Sequence, residues 1–474
     1  MCDDRLTYDV GMRPRAVFVV ALGASACGDN LLSHDPLALP VLVDTNPDPD
    51  IVEVELVAAV ATTTYVDGVR TELWGYRDGS VAGSKVSVPG PTLEVPLGSR
   101  VIVHFRNELA EPTTIHWHGI RVPNDADGSE HTQNPVQPGG SYDYVYSAID
   151  SGTYWYHPHI RGDVQLEKGL YGAVVIRDRT EPAVHADRVL ILDDIKLTAD
   201  GRLDDSVELH DIHFGRMGNT VLVNGKAGAT LEVQAGARER WRFVNAANGR
   251  FFQLALPGHP FLVIAWDGGV IAEPYTTDTL LISPGERYEV IVDLPASGEG
   301  PTLQTLYYQR ALDLPDPGPL DLLNIELGAP APEIGALPSF WAAPIFIPTD
   351  AQTPVRHFVL HEDPGPDGTK VFSINGEVYP AVTPILAEQG EIEIWQINDD
   401  VGMDHPFHLH GMFFQVLDVD GVPPAHQGWK DTVIIPRYKT LRFAVRQGTP
   451  GHWMYHCHIL EHQERGMMGV LTVE

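Results

Sequence analysis

Residues 90–107 read Gly90-Pro91-Thr92-Leu93-Glu94-Val95-Pro96-Leu97-Gly98-Ser99-Arg100-Val101-Ile102-Val103-His104-Phe105-Arg106-Asn107. A short alternating run, a turn at Gly98 and a second alternating run ending on asparagine describe two strands, each with one buried face. The pattern returns over residues 228–245, from Gly228-Ala229-Thr230-Leu231-Glu232-Val233 through Gly236 to Trp241-Arg242-Phe243-Val244-Asn245. A weaker copy runs from Thr383-Pro384-Ile385-Leu386 through Gly390 to Trp395-Gln396-Ile397-Asn398. Spaced by about 140–150 residues, the copies repeat at domain length and not at the period of a solenoid. The sequence therefore predicts three related β-sandwich domains.

Composition agrees. The chain has 474 residues, more than one hydrophobic core serves. Glycine (45) and proline (38) are plentiful, and short runs of Val, Ile, Thr and Tyr between turns replace long amphipathic periods. We expect an all-β chain with domain one over 51–180, domain two over 181–312, a Pro-rich connection over 313–354 and domain three over 355–474. A formal net charge of -32 argues against nucleic-acid binding through a basic groove. It suits a soluble surface, or one that draws in cations.

The N-terminus reads as an address. From Met12, Met-Arg-Pro-Arg is followed by an apolar run from Ala16 to Ala26 and then Cys27. A basic start, a short apolar core and a cysteine at the cleavage point form a lipoprotein-type signal over residues 1–27, with Met12 as the start codon's residue. Ala24 stands where such signals commonly carry leucine. About eleven apolar residues are too few to span a bilayer. The expectation is export to the periplasm or outer membrane, with a membrane tether through lipidated Cys27 and a flexible segment over 28–50 rich in Pro and Asp.

Four histidine motifs carry the chemistry. His116-Trp117-His118-Gly119 and His157-Pro158-His159 lie in domain one; His405-Pro406-Phe407-His408-Leu409-His410 and His456-Cys457-His458-Ile459-Leu460-Glu461-His462, followed by Met467, lie in domain three. On a strand, the two imidazoles of His-x-His face one side about 6–7 Å apart, placed for neighbouring metals. Cys457 points opposite to His456 and His458. A thiolate, two imidazoles and a weak thioether are the donor set of a blue-copper centre, so one strand can hold a copper on one face and two further ligands on the other. A structural zinc site closes with four ligands, and ten of the 21 histidines fall in these motifs. The other cysteines are Cys2 and Cys27, which leaves no disulfide framework once Cys457 is a ligand. Tyr154-Trp155-Tyr156-His157-Pro158-His159-Ile160 echoes the Cys457 stretch, whereas the matching end of domain two, from Tyr288 to Tyr307-Tyr308, has no such histidines and reads as a spacer.

In this order and spacing the motifs resemble the multicopper oxidases, over nearly all of the chain beyond the signal. The resemblance implies three cupredoxin-like Greek-key β-sandwich domains and four copper ions. His405, Cys457 and His462 would hold a type 1 copper with Met467 axial, and His116 and His408 a type 2 copper. His118, His157, His159, His410, His456 and His458 would hold a type 3 pair. Electrons taken singly from a reductant would pass through Cys457 and His462 to reduce O2 to water between domains one and three. Axial Met467 implies a lower type 1 potential than the Leu or Phe of fungal laccases, and Met468 reads as core. Asp127, in Asn124-Asp125-Ala126-Asp127-Gly128, matches the family's acid near the type 2 copper, or else an Asp-Gly turn. Gln463 stands where related oxidases often have glutamate, leaving Glu464 or water to relay protons.

For substrate, the resemblance offers phenols and aromatic amines, or Cu(I) and Fe(II); a non-catalytic copper carrier is a third reading. Only 8 methionines and no Met-rich insert favour the aromatic reductant. The acidic surface pulls toward a cation; Asp404 beside His405 could bind either an amine or a metal ion, and Glu461 reads as a similar candidate or as a plain surface acid. A monomer is expected.

Overall fold

Each repeated stretch is a pair of strands that belong to different sheets. In the computed structural model, which describes Asp35 and residues 37–474, the pairs are Leu93–Pro96 with Arg100–Asn107, Ala229–Ala235 with Arg238–Asn245, and Ile385–Ala387 with Ile392–Asp399. The first strand of each pair runs parallel to the last strand of its own sandwich: Gly172–Arg177, Leu320–Pro330 or Met468–Val473. The second runs parallel to the sandwich's opening strand: Ile51–Thr63, Ala186–Ile195 or Val355–Pro364. The chain thus changes sheet at the turn between them. That turn carries Gly98, Gly236 and Gly390, with φ of 96°, 76° and 83°, a region that L side chains rarely enter. The result is three cupredoxin-like sandwiches, all-β apart from a few short helices.

The expected export signal, including Cys27, lies outside the described residues, as does residues 28–34 of the tether. Among the described residues no helix is long and apolar enough to cross a membrane.

Alternation buries one face of each strand. In Arg100–Asn107 it is Val101, Val103 and Phe105 that enter the core, joined there by Trp117, Tyr144 and Tyr156. Trp241 and Phe243 anchor the second core, and Trp395, Phe407, Phe443 and Trp453 the third. Burying each such side chain contributes about 1.5–3 kcal/mol. Both repeat tryptophans satisfy the indole N–H on a glutamate two residues earlier, Trp241 on Glu239 and Trp395 on Glu393, at 2.9 Å each. A smaller apolar seam joins Trp155, Val244 and Leu460, one from each sandwich.

Two sequence expectations need correction. The stretch 313–354 is not all connection, because Leu320–Pro330 is a strand of the second sandwich, paired with both Ala229–Ala235 and Thr302–Leu306. Its alternating Leu323 and Ile325 were hidden between prolines. The third copy of the repeat also ends one residue later than Asn398. Counted from the glycine turn, Asn107 and Asn245 correspond to Asp399. Their Oδ1 atoms accept the backbone N–H two residues on, from Leu109, Ala247 and Val401, at 2.9, 3.0 and 2.8 Å. In the first two copies the side-chain amide donates to backbone carbonyls. In the third the freed oxygen meets His405.

The turn glycines are required by φ and not by space, since a Cβ on Gly390 would meet nothing within 4 Å. Gly390→Ala should therefore destabilise the third sandwich by about 1–2 kcal/mol. An unchanged denaturant midpoint would show that the turn adapts.

Candidate metal centre

The histidine strands are neighbours in each outer sandwich. His116–His118 pairs with Gly152–His157, placing His116 opposite His157. His405–Leu409 pairs with Gly451–Cys457, placing His408 opposite His456 and Phe407 opposite Cys457. Period two then decides the faces: Trp117 and Cys457 enter the cores, and the flanking histidines enter the space between the first and third sandwiches.

There the rings form three trios: His116, His118 and His408; His118, His157 and His458; His159, His410 and His456. The ligand atoms of each trio lie within 4.8 Å of one another, and each draws on both outer sandwiches. Nε2 of His456 is 3.1 Å from Nε2 of His410 and 3.4 Å from Nε2 of His159. Nδ1 of His118 faces Nε2 of His157 at 3.5 Å. Stacking of His116 on His410 and of His118 on His408, with centroids 3.9 and 3.7 Å apart, closes the cluster.

Backbone carbonyls select the inward nitrogen. The Nδ1–H groups of His116, His157, His408 and His456 donate to the carbonyls of Asp127, Pro158, Asp431 and Cys457 at 2.8–3.0 Å. Each ring then presents Nε2 to the cluster. Burial first, and neighbouring histidines second, hold His157, His159, His456 and His458 well below the usual imidazole range, and His410 is pushed down to about 3. The rings are neutral at pH 7, with lone pairs free.

Asp127 follows a short 3-10 turn, Asn124–Ala126, and is 1% exposed. Both its carboxylate oxygens lie 3.1 Å from His410 Nδ1, and Oδ1 is 3.4 Å from His116 Nδ1. Burial works against its charge, but His410 and His116 outweigh burial and keep the carboxyl well below the usual range. The turn and the histidine-holding role are both present.

A second group surrounds Cys457. Its Sγ accepts the Ile459 N–H at 3.3 Å and lies 3.8 Å from His462 Nδ1. The rings of His405 and His462 are 5.3 Å apart, and Met467 is buried in the same apolar cluster as Cys457. Asp399 Oδ2 holds His405 Nδ1 at 2.6 Å, Phe372 stacks on His462 at 3.9 Å, and His462 Nε2 donates to the His213 carbonyl at 3.1 Å. Burial pushes the Cys457 thiol up, so it is protonated without a metal.

Both groups fit copper. Nε2 of His116, His405 and His408 and both nitrogens of His458 are buried with no hydrogen-bond partner. Such atoms are costly unless something accepts them. Convergent neutral imidazoles, with a thiol and thioether at one group only, match copper's preferences. Comparison with known proteins agrees. Multicopper oxidase domain models match residues 66–181, 196–300 and 348–474. The multicopper oxidase MmcO of Mycobacterium tuberculosis is 32% identical over 426 residues, 80% of this chain and 81% of that one. The chain belongs to the multicopper oxidases. These are copper-dependent oxidoreductases that use oxygen. Among solved structures, the Campylobacter jejuni multicopper oxidase, described as a metallo-oxidase, aligns with a TM-score of 0.80 at 30% identity, over 92% of this chain and 94% of that one. A laccase-like oxidase of Ochrobactrum sp., with activity towards lignin model compounds and lignosulfonate, aligns with a TM-score of 0.78 at 27% identity, over 93% and 100%.

The oxidase's middle sandwich is more than a spacer. Its turn at Gly285, φ 86°, presses on the cluster: a Cβ there would lie 2.8 Å from the His458 ring and 3.1 Å from that of His118. Arg287, from the same turn, makes a two-pronged pair with Asp431 at 2.7 and 2.6 Å. Asp431 Oδ1 lies 3.3 Å from His118 Nε2 and 3.5 Å from His408 Nδ1. Lys430 meets Asp267 and Glu286 at 2.9 and 2.7 Å beside them. A histidine search passes over this support because it is built from glycine, arginine and aspartate.

Other candidates are placed differently from expectation. Asp404 is 2% exposed, and its oxygens accept the Tyr308 hydroxyl and the Arg437 N–H at 2.6 and 2.9 Å. Glu461 is also buried, accepts Asn248 Nδ2 at 3.0 Å, and is pushed up to about 7 by that burial. Neither stands at the surface to meet a cation. Gln463 is buried; the Glu464 carboxylate accepts the Gly162 N–H at 2.7 Å. Met468 is buried opposite His456.

Unfolded histidines titrate near about 6.5. Below that pH the unfolded chain takes up protons that the buried rings refuse, so folding stability falls as pH falls. Asp127 behaves differently, its contribution being lost only below the ordinary aspartate value of about 3.9. Chelator-treated oxidase should therefore lose unfolding temperature from about pH 7 to 5. A flat profile would contradict neutral, buried imidazoles.

Proposed function

We propose that this oxidase removes electrons one at a time from phenols or aromatic amines and delivers them to dioxygen. In this reading His405, Cys457, His462 and Met467 would hold the copper that receives electrons, and His116 and His408 a second. His118, His157, His159, His410, His456 and His458 would hold the remaining two. Copper bound there supplies one-electron redox chemistry, and four phenols giving four electrons and four protons convert one O2 to two waters. Cys457 links the groups: its sulfur lies in one, and its carbonyl accepts the His456 Nδ1–H of the other at 2.9 Å. Asp127 stays ionised and orients His116 and His410 while protons reach the oxygen.

The observation that carries the aromatic reading is a cavity of about 380 Å3 walled by Phe251, Tyr307, Tyr308 and Met217. Tyr308 is bonded to Asp404, the residue before His405, and Ala311 bridges to Met403. A flat ring resting there lies against Tyr308, whose hydroxyl bond to Asp404 leads to His405 of the cysteine group. The Ochrobactrum relative's activity on lignin model compounds supports the same class. The Campylobacter relative favours the metal-ion alternative, but Asp404 and Glu461 are both engaged within the protein.

Two experiments decide. Cys457→Ser should abolish blue absorption and oxygen uptake together; a variant that stays blue would remove Cys457 from the centre. Copper-loaded oxidase should consume oxygen with a higher kcat/KM for 2,6-dimethoxyphenol than for Cu(I). Preference for Cu(I) would make it a metal-ion oxidase, and no uptake with either would make it a carrier.

A further inference from the structure

The same cavity holds a guanidinium that makes no ion pair among the described residues, Asp404 and Glu461 acting on it only from beyond contact distance. Arg310 is 1% exposed and stands in its wall. One guanidinium nitrogen, Nη2, donates to the Phe214 carbonyl and approaches Met217 Sδ at 3.8 Å. Nε and Nη1 have no partner, and among the described residues Arg310 forms no ion pair. Burial lowers its pKa to about 10, so it stays a cation at neutral pH. A structural arginine in a core spends its fork on carbonyls or a carboxylate, because an unpaired buried charge is strongly destabilising. The contact with the Phe251 ring, 5.3 Å from the guanidinium carbon, satisfies neither free N–H.

The rest of the lining points the same way. On a chain of net charge -32, the described lining of this cavity includes Arg250 and Arg310 and no Asp or Glu. Arg250 is already paired with Asp194, so Arg310 holds the unspent donors. Phe251 stacks on Tyr308 with centroids 5.9 Å apart, making one wall flat and aromatic. The cavity also touches the cysteine group through two adjacent carbonyls at the end of the helix Leu209–Phe214. His213 accepts from His462 and Phe214 accepts from Arg310.

The geometry points to an aromatic carboxylate as the reductant: a phenol whose ring lies against Phe251 and Tyr308 and whose carboxylate accepts from the unpartnered Nη1 of Arg310. This rests on the aromatic reading of the oxidase and narrows it. A charge-assisted bond in a nearly buried site rewards the carboxylate far more than an exposed pair would. Oxidation then removes one electron and one proton from the phenol and leaves the carboxylate bound as the anchor. A cation such as Cu(I) meets the wrong charge in this cavity.

The test separates binding from turnover. Binding of 3,5-dimethoxybenzoate, which has no phenol to oxidise, and of neutral 1,3-dimethoxybenzene is measured by calorimetry on copper-loaded full-length oxidase. The benzoate should bind at least about 10-fold tighter, and Arg310→Gln should erase that difference. Arg310→Lys keeps the charge but loses the planar guanidinium that places Nη1 and should fall between. Leu314→Trp, which fills the cavity and leaves Arg310 in place, should weaken both ligands. In steady state, the ratio of kcat/KM for syringate to that for 2,6-dimethoxyphenol should drop roughly 10- to 100-fold in Arg310→Gln, mostly through KM. Equal binding of the two ligands by the unaltered oxidase, or a preference that survives in Arg310→Gln, overturns the inference. Benzoate binding through Arg310 in a protein that oxidises no phenol would keep the site and refute the aromatic-oxidase reading instead.

Discussion

This oxidase takes ten imidazoles out of water, and burial holds eight of them, His118, His157, His159, His408, His410, His456, His458 and His462, below the usual imidazole range. None of the ten motif histidines is more than 4% exposed. Much of the architecture serves to make that tolerable. Most rings in the cluster bond an outer nitrogen and point the inner one at a shared partner, whereas His458 bonds neither. Backbone carbonyls at the ends of strands do this for His157, His408 and His456, and the Asp127 carbonyl after its 3-10 turn does it for His116. Strand ends can do so because the peptide carbonyl beyond the last ladder bond is free to turn. The cluster lies where strands stop.

The same constraint explains the middle sandwich. A cluster closed only by the two outer sandwiches would be open on the side of His118 and His458. Gly285 seals that side at a distance no other residue permits, and Arg287 compensates Asp431, the one charge beside both His118 and His408. Breaking such a buried pair by removing one partner typically costs about 3–5 kcal/mol, because the remaining charge has nowhere to go. Domain two therefore supplies closure and charge balance while the outer domains supply ligands.

What could be read from the chain follows from what repeats. Alternation around Gly98, Gly236 and Gly390 disclosed the crossovers, since a strand buried on one face has period two whatever packs on it. The histidine motifs disclosed themselves because four such clusters have few other uses. Features made by a single residue in ordinary chemistry stayed hidden. Asp399 looked like a neighbour of the repeat's asparagine until the turn was counted, yet it is the one position where the repeat was altered to reach His405. Asp404 and Glu461 read as acids free to meet a substrate; burial is a property of what lies across the gap, and that came from domain two and the segment Tyr308–Ala311. Leu320–Pro330 was masked by its proline-rich flanks.

The order of ligands along the chain has a consequence for how the protein is made. The segment from His456 to Met467 contributes to both groups, and every histidine trio but the first needs it. A nascent chain that has emerged as far as His410 already presents six cluster histidines and Asp127, yet two of the three trios are incomplete and the cysteine is missing. The cysteine group and two of the three trios can close around copper only once the segment from His456 to Met467 is in place, which limits how much redox-active metal a half-made chain can hold on loosely arranged imidazoles.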